Sequence, residues 1–295
     1  MVLADVTHFL FGSPKSVSVQ NVKASQRVHH FDFIDALRGV AVLLVILTHV
    51  GGVLDHARPN QLVFWLDKGK YGVQLFFIAS AFTLFWSYKQ RLDIERSSSV
   101  VRNFFIRRFF RIAPAYYVAA FLYVVTFPVF PGLDFEPVDG IRVLINVLFI
   151  NGFVPSAINY LPPGGWSVGV EMMFYTLIPL MYRTITSLQK AKLWFLIALI
   201  ASFAIKISIR LMQWFIFHRT SSEAWFLYYW LPNQLPVFLL GVYAFWRYVN
   251  HYGIGHRVSR ASLIGVLALT LCVFFLKKKY NNWVLDRPYI LLTVD

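Results

Sequence analysis

A chain of 295 residues that is 58% hydrophobic and only 14% charged is too poor in charge for an ordinary soluble domain, in which roughly a quarter of residues are charged. With a mean hydropathy of +0.58 and 29 Phe, 15 Tyr and 9 Trp, it reads as an all-α, polytopic integral membrane helix bundle. The net charge of +14 does not indicate nucleic acid, because seven of the 28 basic residues are gathered between Lys89 and Arg111, flanked by apolar runs, as on the cytoplasmic side of a membrane.

Residues 1–33 hold no compact apolar core followed by a small-residue cleavage site, so no cleaved signal is expected and the first span serves as its own insertion signal. They read as a flexible cytoplasmic segment ahead of a membrane domain over 34–295. A spanning helix needs about 20 mostly apolar residues. On that ruler the candidate spans are 34–54, 71–88, 112–130, 166–183, 193–213, 225–249 and 261–276. The stretch 141–154 is either a thin span or a re-entrant piece, which makes seven to eight. The final "RPYILLTVD" resembles the opening of another apolar segment, so the chain reads either as short for its kind or as truncated at the C-terminus. Lys15, Lys23 and Arg27 before the first span, and the basic 89–111 loop, place the N-terminus in the cytoplasm.

The single cysteine, Cys272, excludes an internal disulfide and a thiolate metal cluster. There is no G-x-x-x-x-G-K-[ST] phosphate loop and no H-E-x-x-H metal pair. His30 and Asp35 match an H-x4-D spacing used by other acyltransferases, but two residue types at one gap arise readily by chance.

Ionisable residues within the apolar runs are the informative ones, because burying them in a membrane is costly. In "DALRGVAVLLVILTHV", Arg38 and His49 are eleven residues apart, which in a helix is about 16 Å and about three full turns. Both therefore point to nearly one face, half a bilayer apart, the geometry for a substrate that enters at one side and reacts toward the other. The plainer alternatives are that Arg38 snorkels and pairs with Asp35, and that His49 meets headgroups or Thr48. In "RNFFIRRFFRIAPAYYV", Arg107, Arg108 and Arg111 lie at helical spacing before a span, suited either to anchoring or to phosphate on a carrier such as coenzyme A. In "GGWSVGVEMMFYTLIPLM", Glu171 stands in an apolar helix with Trp166, Ser167 and Tyr175 nearby. It could orient a histidine or partner an arginine on another helix. In "QLFFIASAFTLFW", the small residues Ala79, Ser80 and Ala81 allow close helix approach, and no base is placed beside Ser80 by the sequence.

These elements, in this order, resemble membrane acyltransferase family 3, whose bacterial members O-acylate surface polysaccharides. "IDALRGVAVLLVILTHV" resembles the family's opening signature, with Arg38 and His49 at its arginine–histidine spacing. "LFFIASAF" is similar to its Phe-Phe-x-x-Ser-Gly-Phe element, with Ala81 in place of the usual Gly. "RRFFRIAPAYY" resembles its Arg-x-x-Arg loop through Arg108 and Arg111. "GGWSVGVEMMFYTLIP" resembles its Trp-Ser-x-x-x-Glu element. The likeness covers roughly residues 32–183.

The resemblance implies an acyltransferase of the bacterial inner membrane, moving an acyl group, commonly acetyl, from acyl-CoA to a hydroxyl of a carbohydrate or glycolipid. It implies His49 as the catalytic base with Glu171 in support. Arg38, Arg108 and Arg111 would hold the donor, and Asp35, Arg107, Trp166, Ser167 and Tyr175 would assist. No metal or resident cofactor is expected; acyl-CoA is a co-substrate, and membrane lipids are the other partner. The competing readings are a membrane-bound acyltransferase with a lipid or protein acceptor, and a transporter lined by Arg38, Lys206 and Arg210. No internal repeat of the kind transporters carry is evident.

Overall fold

The computed structural model describes residues 31–57, 66–95, 97–126, 138–162, 164–215 and 224–252, and among them it is helical with no strand. Contacts divide the chain into two units, Met1–Ala36 and Leu37–Asp295. Of the first, the described part is a helix start. The amides of Ile34 and Asp35 donate to the Phe31 carbonyl at 2.9 and 3.2 Å. Helix α1 (Asp32–Ala57) opens with Asp32 and Asp35 in its first turn, where the helix dipole favours negative charge.

In the second unit, α1 continues through an apolar run whose Val40, Val42, Leu43, Ile46, Leu47 and Val50 are exposed, as a lipid-facing helix should be. Helix α2 (Gly72–Ile94) is its opposite. Leu75, Phe77, Ile78, Ala79, Ala81, Phe82, Leu84, Phe85 and Trp86 are all buried, and a helix apolar all round belongs at the centre of its fold. Helix α3 (Ser97–Thr126) follows after a short break. Helix α4 (Gly140–Val147) is one short amphipathic piece. Then come α5 (Trp166–Thr184), α6 (Leu188–Phe215), α7 (Ala224–Tyr229) and α8 (Leu231–Tyr252).

Helix α8 packs most extensively against α2 and α6. Close approach to α2 is possible because Gly241 lacks a side chain: a Cβ there would lie 2.4 Å from the Ile78 carbonyl and 2.8 Å from Ala81. Small residues play this part between membrane helices. Around that contact Phe238 is sandwiched by Phe77 and Phe174, ring centroids 4.3 and 4.0 Å away, and Phe245 meets Phe82, Phe85 and Trp86.

Two departures from the sequence reading, and one choice between alternatives it left open, matter. First, 89–111 is not a loop: α2 runs to Ile94 and α3 begins at Ser97, so the arginines of 102–111 sit on a helix. Second, 141–154 does not cross. Its helix of eight residues is about 12 Å long at 1.5 Å per residue, far short of a bilayer. It is a folded cap: Asn146 Nδ2 donates to the carbonyls of Arg142 and Ala157, Asn151 Nδ2 to that of Ile158, and Tyr116 Oη to that of Leu161. Buried non-helical backbone must be satisfied in this way. Third, 225–249 is broken at Trp230 between α7 and α8, with Pro232 in the first turn of α8, where its missing N–H costs nothing.

Among the described residues, three helices are long and apolar enough to cross a membrane, over Asp32–Gly51, Ser99–Thr126 and Leu188–Met212. The other expected spans are α2, α5 and α8, which are turned inward against their neighbours, while 261–276 and the C-terminal apolar segment lie outside the described residues, as does most of 1–33.

Candidate active site

Helices α1 and α2 approach closely where the start of α2 passes Ala41 and Leu44. A Cβ on Gly72 would strike the Ala41 carbonyl, one on Gly69 the Leu44 carbonyl, and Thr48 Oγ1 donates to the Leu66 carbonyl at 3.1 Å. At the other end, Arg38 Nη2 donates to Thr83 Oγ1 at 2.7 Å. The bundle therefore has two polar levels, one at Arg38 and Thr83 and one at His49 and the start of α2.

The Arg38 level is cationic. Thr83, which receives the Arg38 hydrogen bond, is itself tied to the carbonyls of Ala79 and Ser80 at 3.0 Å, so its oxygen is held in place. One turn back on α2, the buried Ser80 hydroxyl donates to Glu171 Oε1 across the α2–α5 contact. Tyr175, one turn further along α5, hydrogen-bonds the same carboxyl. The Arg108 guanidinium on α3 covers the rings of Phe104 and Tyr175 at 5.6 and 5.9 Å. Arg108 lies within the electrostatic reach of Glu171, Arg38 and Arg111, and Arg111 within that of Glu171. Arg108 and Arg111 thus lie around one carboxyl, with Arg38 in electrostatic reach of Arg108, so the level gathers positive charge. Such an arrangement suits an anion with several oxygens.

The His49 level is aromatic. His49 is exposed and sits against Gly164: a Cβ on that glycine would be 3.5 Å from Nε2 and 3.6 Å from Cε1. Gly164 has φ +83°, a conformation open to glycine and strained for other residues, and its amide donates to Asn159 Oδ1 at 2.8 Å. Two residues on, the Trp166 ring stacks on Tyr229 at 4.5 Å and meets Phe77 edge-on at 6.0 Å. Among the described residues His49 forms no hydrogen bond or ion pair.

The site residues expected from the sequence are therefore divided. Arg38, Arg108, Arg111, Glu171 and Tyr175 come together at the cationic level. His49 and Trp166 stand at the other. Glu171 meets Ser80 and Tyr175, with Arg108 and Arg111 within electrostatic reach but in no described ion pair with it, and no described contact joins it to His49. Ser167 Oγ donates to the Gly164 carbonyl at 3.2 Å, a helix-start contact. Arg107 turns away to Glu95 at 3.0 Å. Asp35 belongs to the other contact unit.

Ser80 and Thr83 were missed as site residues because their partners are distant in sequence. The hint was the small-polar pattern of "ASAFT" inside an otherwise apolar helix. Among the described residues no group of His, Cys, Asp and Glu could hold a metal.

The family model of the acyltransferase domain, of the acyltransferase 3 type, matches residues 31–294. The chain is similar to the acyltransferase MdmB of Streptomyces mycarofaciens, 26% identical over 231 residues that cover 73% of this chain and 57% of that protein. The chain thus spans little more than half the length of that relative. No solved structure matches.

Proposed function

The chain belongs to the acyltransferase 3 family, and from the two polar levels of its bundle we propose that it moves an acyl group, acetyl in the first instance, from acyl-CoA to a hydroxyl of a surface carbohydrate or glycolipid. The observation that carries this reading is the separation of charge along α1. The arginine cluster of Arg38, Arg108 and Arg111 lies at one end and the histidine lies eleven residues away at the other.

In this reading the arginine end faces the cytoplasm and holds the phosphates of coenzyme A. The pantetheine arm reaches along the bundle and presents its thioester toward His49. His49 Nε2 takes the proton of the acceptor hydroxyl, and the oxygen attacks the thioester carbonyl. The new C–O bond forms as the C–S bond breaks, and the coenzyme A thiolate leaves and takes the proton back from the imidazolium. The products are an ester and free coenzyme A. An imidazole ring can both accept and return a proton, as the two transfers require. Glu171 holds the arginines in register rather than touching the reacting atoms.

The test uses the purified chain in proteoliposomes with acetyl-CoA labelled in its acetyl group and an extract of surface glycans. The reading predicts label in glycan esters, lost with His49→Ala. Label that moves to lipid or protein instead would favour a different acceptor class. Movement of an unmodified glycan across the bilayer with no label transferred would favour a transporter.

A further inference from the structure

Two buried amides at the His49 end have hydrogen-bonding capacity that no described residue meets. Gln74 on α2 and Gln234 on α8 are 5% and 0% exposed. Gln74 Nε2 donates to the Tyr228 hydroxyl at 3.1 Å. Gln234 Nε2 and Asn233 Nδ2 both donate to the Tyr228 carbonyl at 2.6 Å, and Asn233 Oδ1 accepts from Ser202 on α6 at 3.3 Å. Gln74 Oε1 and Gln234 Oε1 are both buried and accept nothing from the described residues.

Turning the amides over does not remove the deficit. The Tyr228 carbonyl can only accept, so Gln234 must face it with nitrogen, and its oxygen is left over. Gln74 could meet the Tyr228 hydroxyl with either atom, but one of the two is left over in either case. Buried polar groups are nearly always satisfied, so two unmet oxygens on amides whose nitrogens both hold one tyrosine mark a place for something else.

We propose that Gln74, Tyr228 and Gln234 form a binding site for an uncharged, hydroxyl-bearing ligand, with the Trp166–Tyr229 stack as its apolar wall. The amide oxygens accept from ligand hydroxyls. Ser202, Asn233, Gln74, Gln234 and Tyr228 carry no charge, so a neutral polyol is matched by donors and acceptors alone, where an ionised ligand would lack a counter-charge among them. Aromatic faces beside a few fixed polar groups suit the C–H faces and hydroxyls of a sugar ring. The position fits as well. Trp166 lies two residues after Gly164, which touches His49, and its ring is 6.3 Å from that of Tyr228. That the ligand is the acyl acceptor rests on the function proposed above; that the site binds a neutral glycoside does not.

Methyl α-D-glucopyranoside is the probe, with the full chain in lipid nanodiscs and saturation-transfer NMR as the readout. The expected result is transfer to the glycoside from wild type, weakened about tenfold in affinity by Gln74→Met or Gln234→Met, the size of effect for a lost hydrogen bond from a buried group. Both variants keep their side-chain length, and coenzyme A binding at the arginine end reports that they are folded. A rise in melting temperature of the unmodified chain on adding the probe, expected from linkage, needs no variant. No transfer and no thermal shift with wild type would mean that the oxygens are met by internal water only and would overturn the proposal. Equal transfer from wild type and both folded variants would overturn it too. Glycoside binding without acyl transfer would sink the functional reading and leave this site standing.

Discussion

Ser80 on α2 donates its hydroxyl hydrogen to the Glu171 carboxyl on α5, a pair separated by 91 residues in sequence and fully buried. This pair joins the central helix to the helix that carries the Trp-Ser-x-x-x-Glu element, and Arg108 and Arg111 of α3 gather around the same carboxyl. Glu171 is thereby the centre of the cationic end of the bundle.

Replacing that carboxyl should disturb the hydrogen bonds of Ser80 and Tyr175. Glu171→Gln is expected to destabilise the protein by about 1–3 kcal/mol, as when a buried hydrogen-bonding group loses its partner. Ser80→Ala is expected to cost about 1–3 kcal/mol. A double-mutant cycle on the two, read by denaturant unfolding in mild detergent, should give a coupling energy of about 0.5–3 kcal/mol. Strictly additive losses would show that the two residues act separately.

Arg108 and Arg107 are neighbours with opposite outlooks. Arg108 lies over Tyr175, whereas Arg107 is exposed and pairs with Glu95. Arg108→Ala should raise the KM for acyl-CoA by tenfold or more, as loss of a charge-assisted contact does. Arg107→Ala should change it little and cost about 0–1 kcal/mol of stability, since it ends an exposed ion pair. Steady-state kinetics with acetyl-CoA varied decides between them, and equal effects would contradict the assignment.

Gly164 lies beside His49 in a backbone conformation that favours glycine. Gly164→Ala places a methyl group 3.5 Å from Nε2 on a residue with φ +83°, at a backbone cost of about 1–2 kcal/mol. The expectation is a fall in kcat with donor affinity unchanged, because the arginine end is remote. A rise in acyl-CoA KM with kcat intact would place His49 in donor binding instead.

The turn between α2 and α3 should respond to acid. Hydrogen bonding from Asn103 holds the Glu95 carboxyl below its ordinary value, and the Arg107 and Arg91 charges add to this. A carboxyl whose pKa is lower when folded stabilises the fold above its unfolded pKa, and that contribution fades as pH falls through the folded value. Melting temperature against pH should therefore show a drop on the acid side that Glu95→Gln reduces. A variant with an unchanged profile would show that Glu95 is not linked to folding.

Because α4 and its cap do not cross the bilayer, α3 should end and α5 begin on one side. With Cys272 replaced by serine, Asn159→Cys should react with a membrane-impermeant maleimide from outside the cell and Lys190→Cys only after permeabilisation. The reverse pattern would invert the orientation inferred from the basic N-terminal segment.

Much of this was legible in the sequence. The apolar run of α1 announces a lipid-facing helix, and the Arg38–His49 spacing follows from helical geometry alone. The early start of α3 was hidden because Arg102, Arg107, Arg108 and Arg111 lower its hydropathy, although arginine is a good helix former. The shortness of α4 was obscured because Ile141, Leu144 and Leu148 look like the start of a span, and these are the side chains it exposes. The break at Trp230 lay inside one continuous apolar run. The pairing of Ser80 with Glu171, and of Gln74 and Gln234 with Tyr228, joins residues 91, 154 and 6 positions apart, and no local pattern reports contacts of the first two kinds.

The central claim is that His49 carries out acyl transfer at the end of the bundle remote from the arginines. It is tested most directly by mass spectrometry of acyl groups on surface glycans from cells lacking the gene, complemented with wild type or with His49→Ala at equal membrane abundance. The account predicts an O-acyl group restored by wild type and absent with His49→Ala. Restoration by His49→Ala to the wild-type level would contradict it.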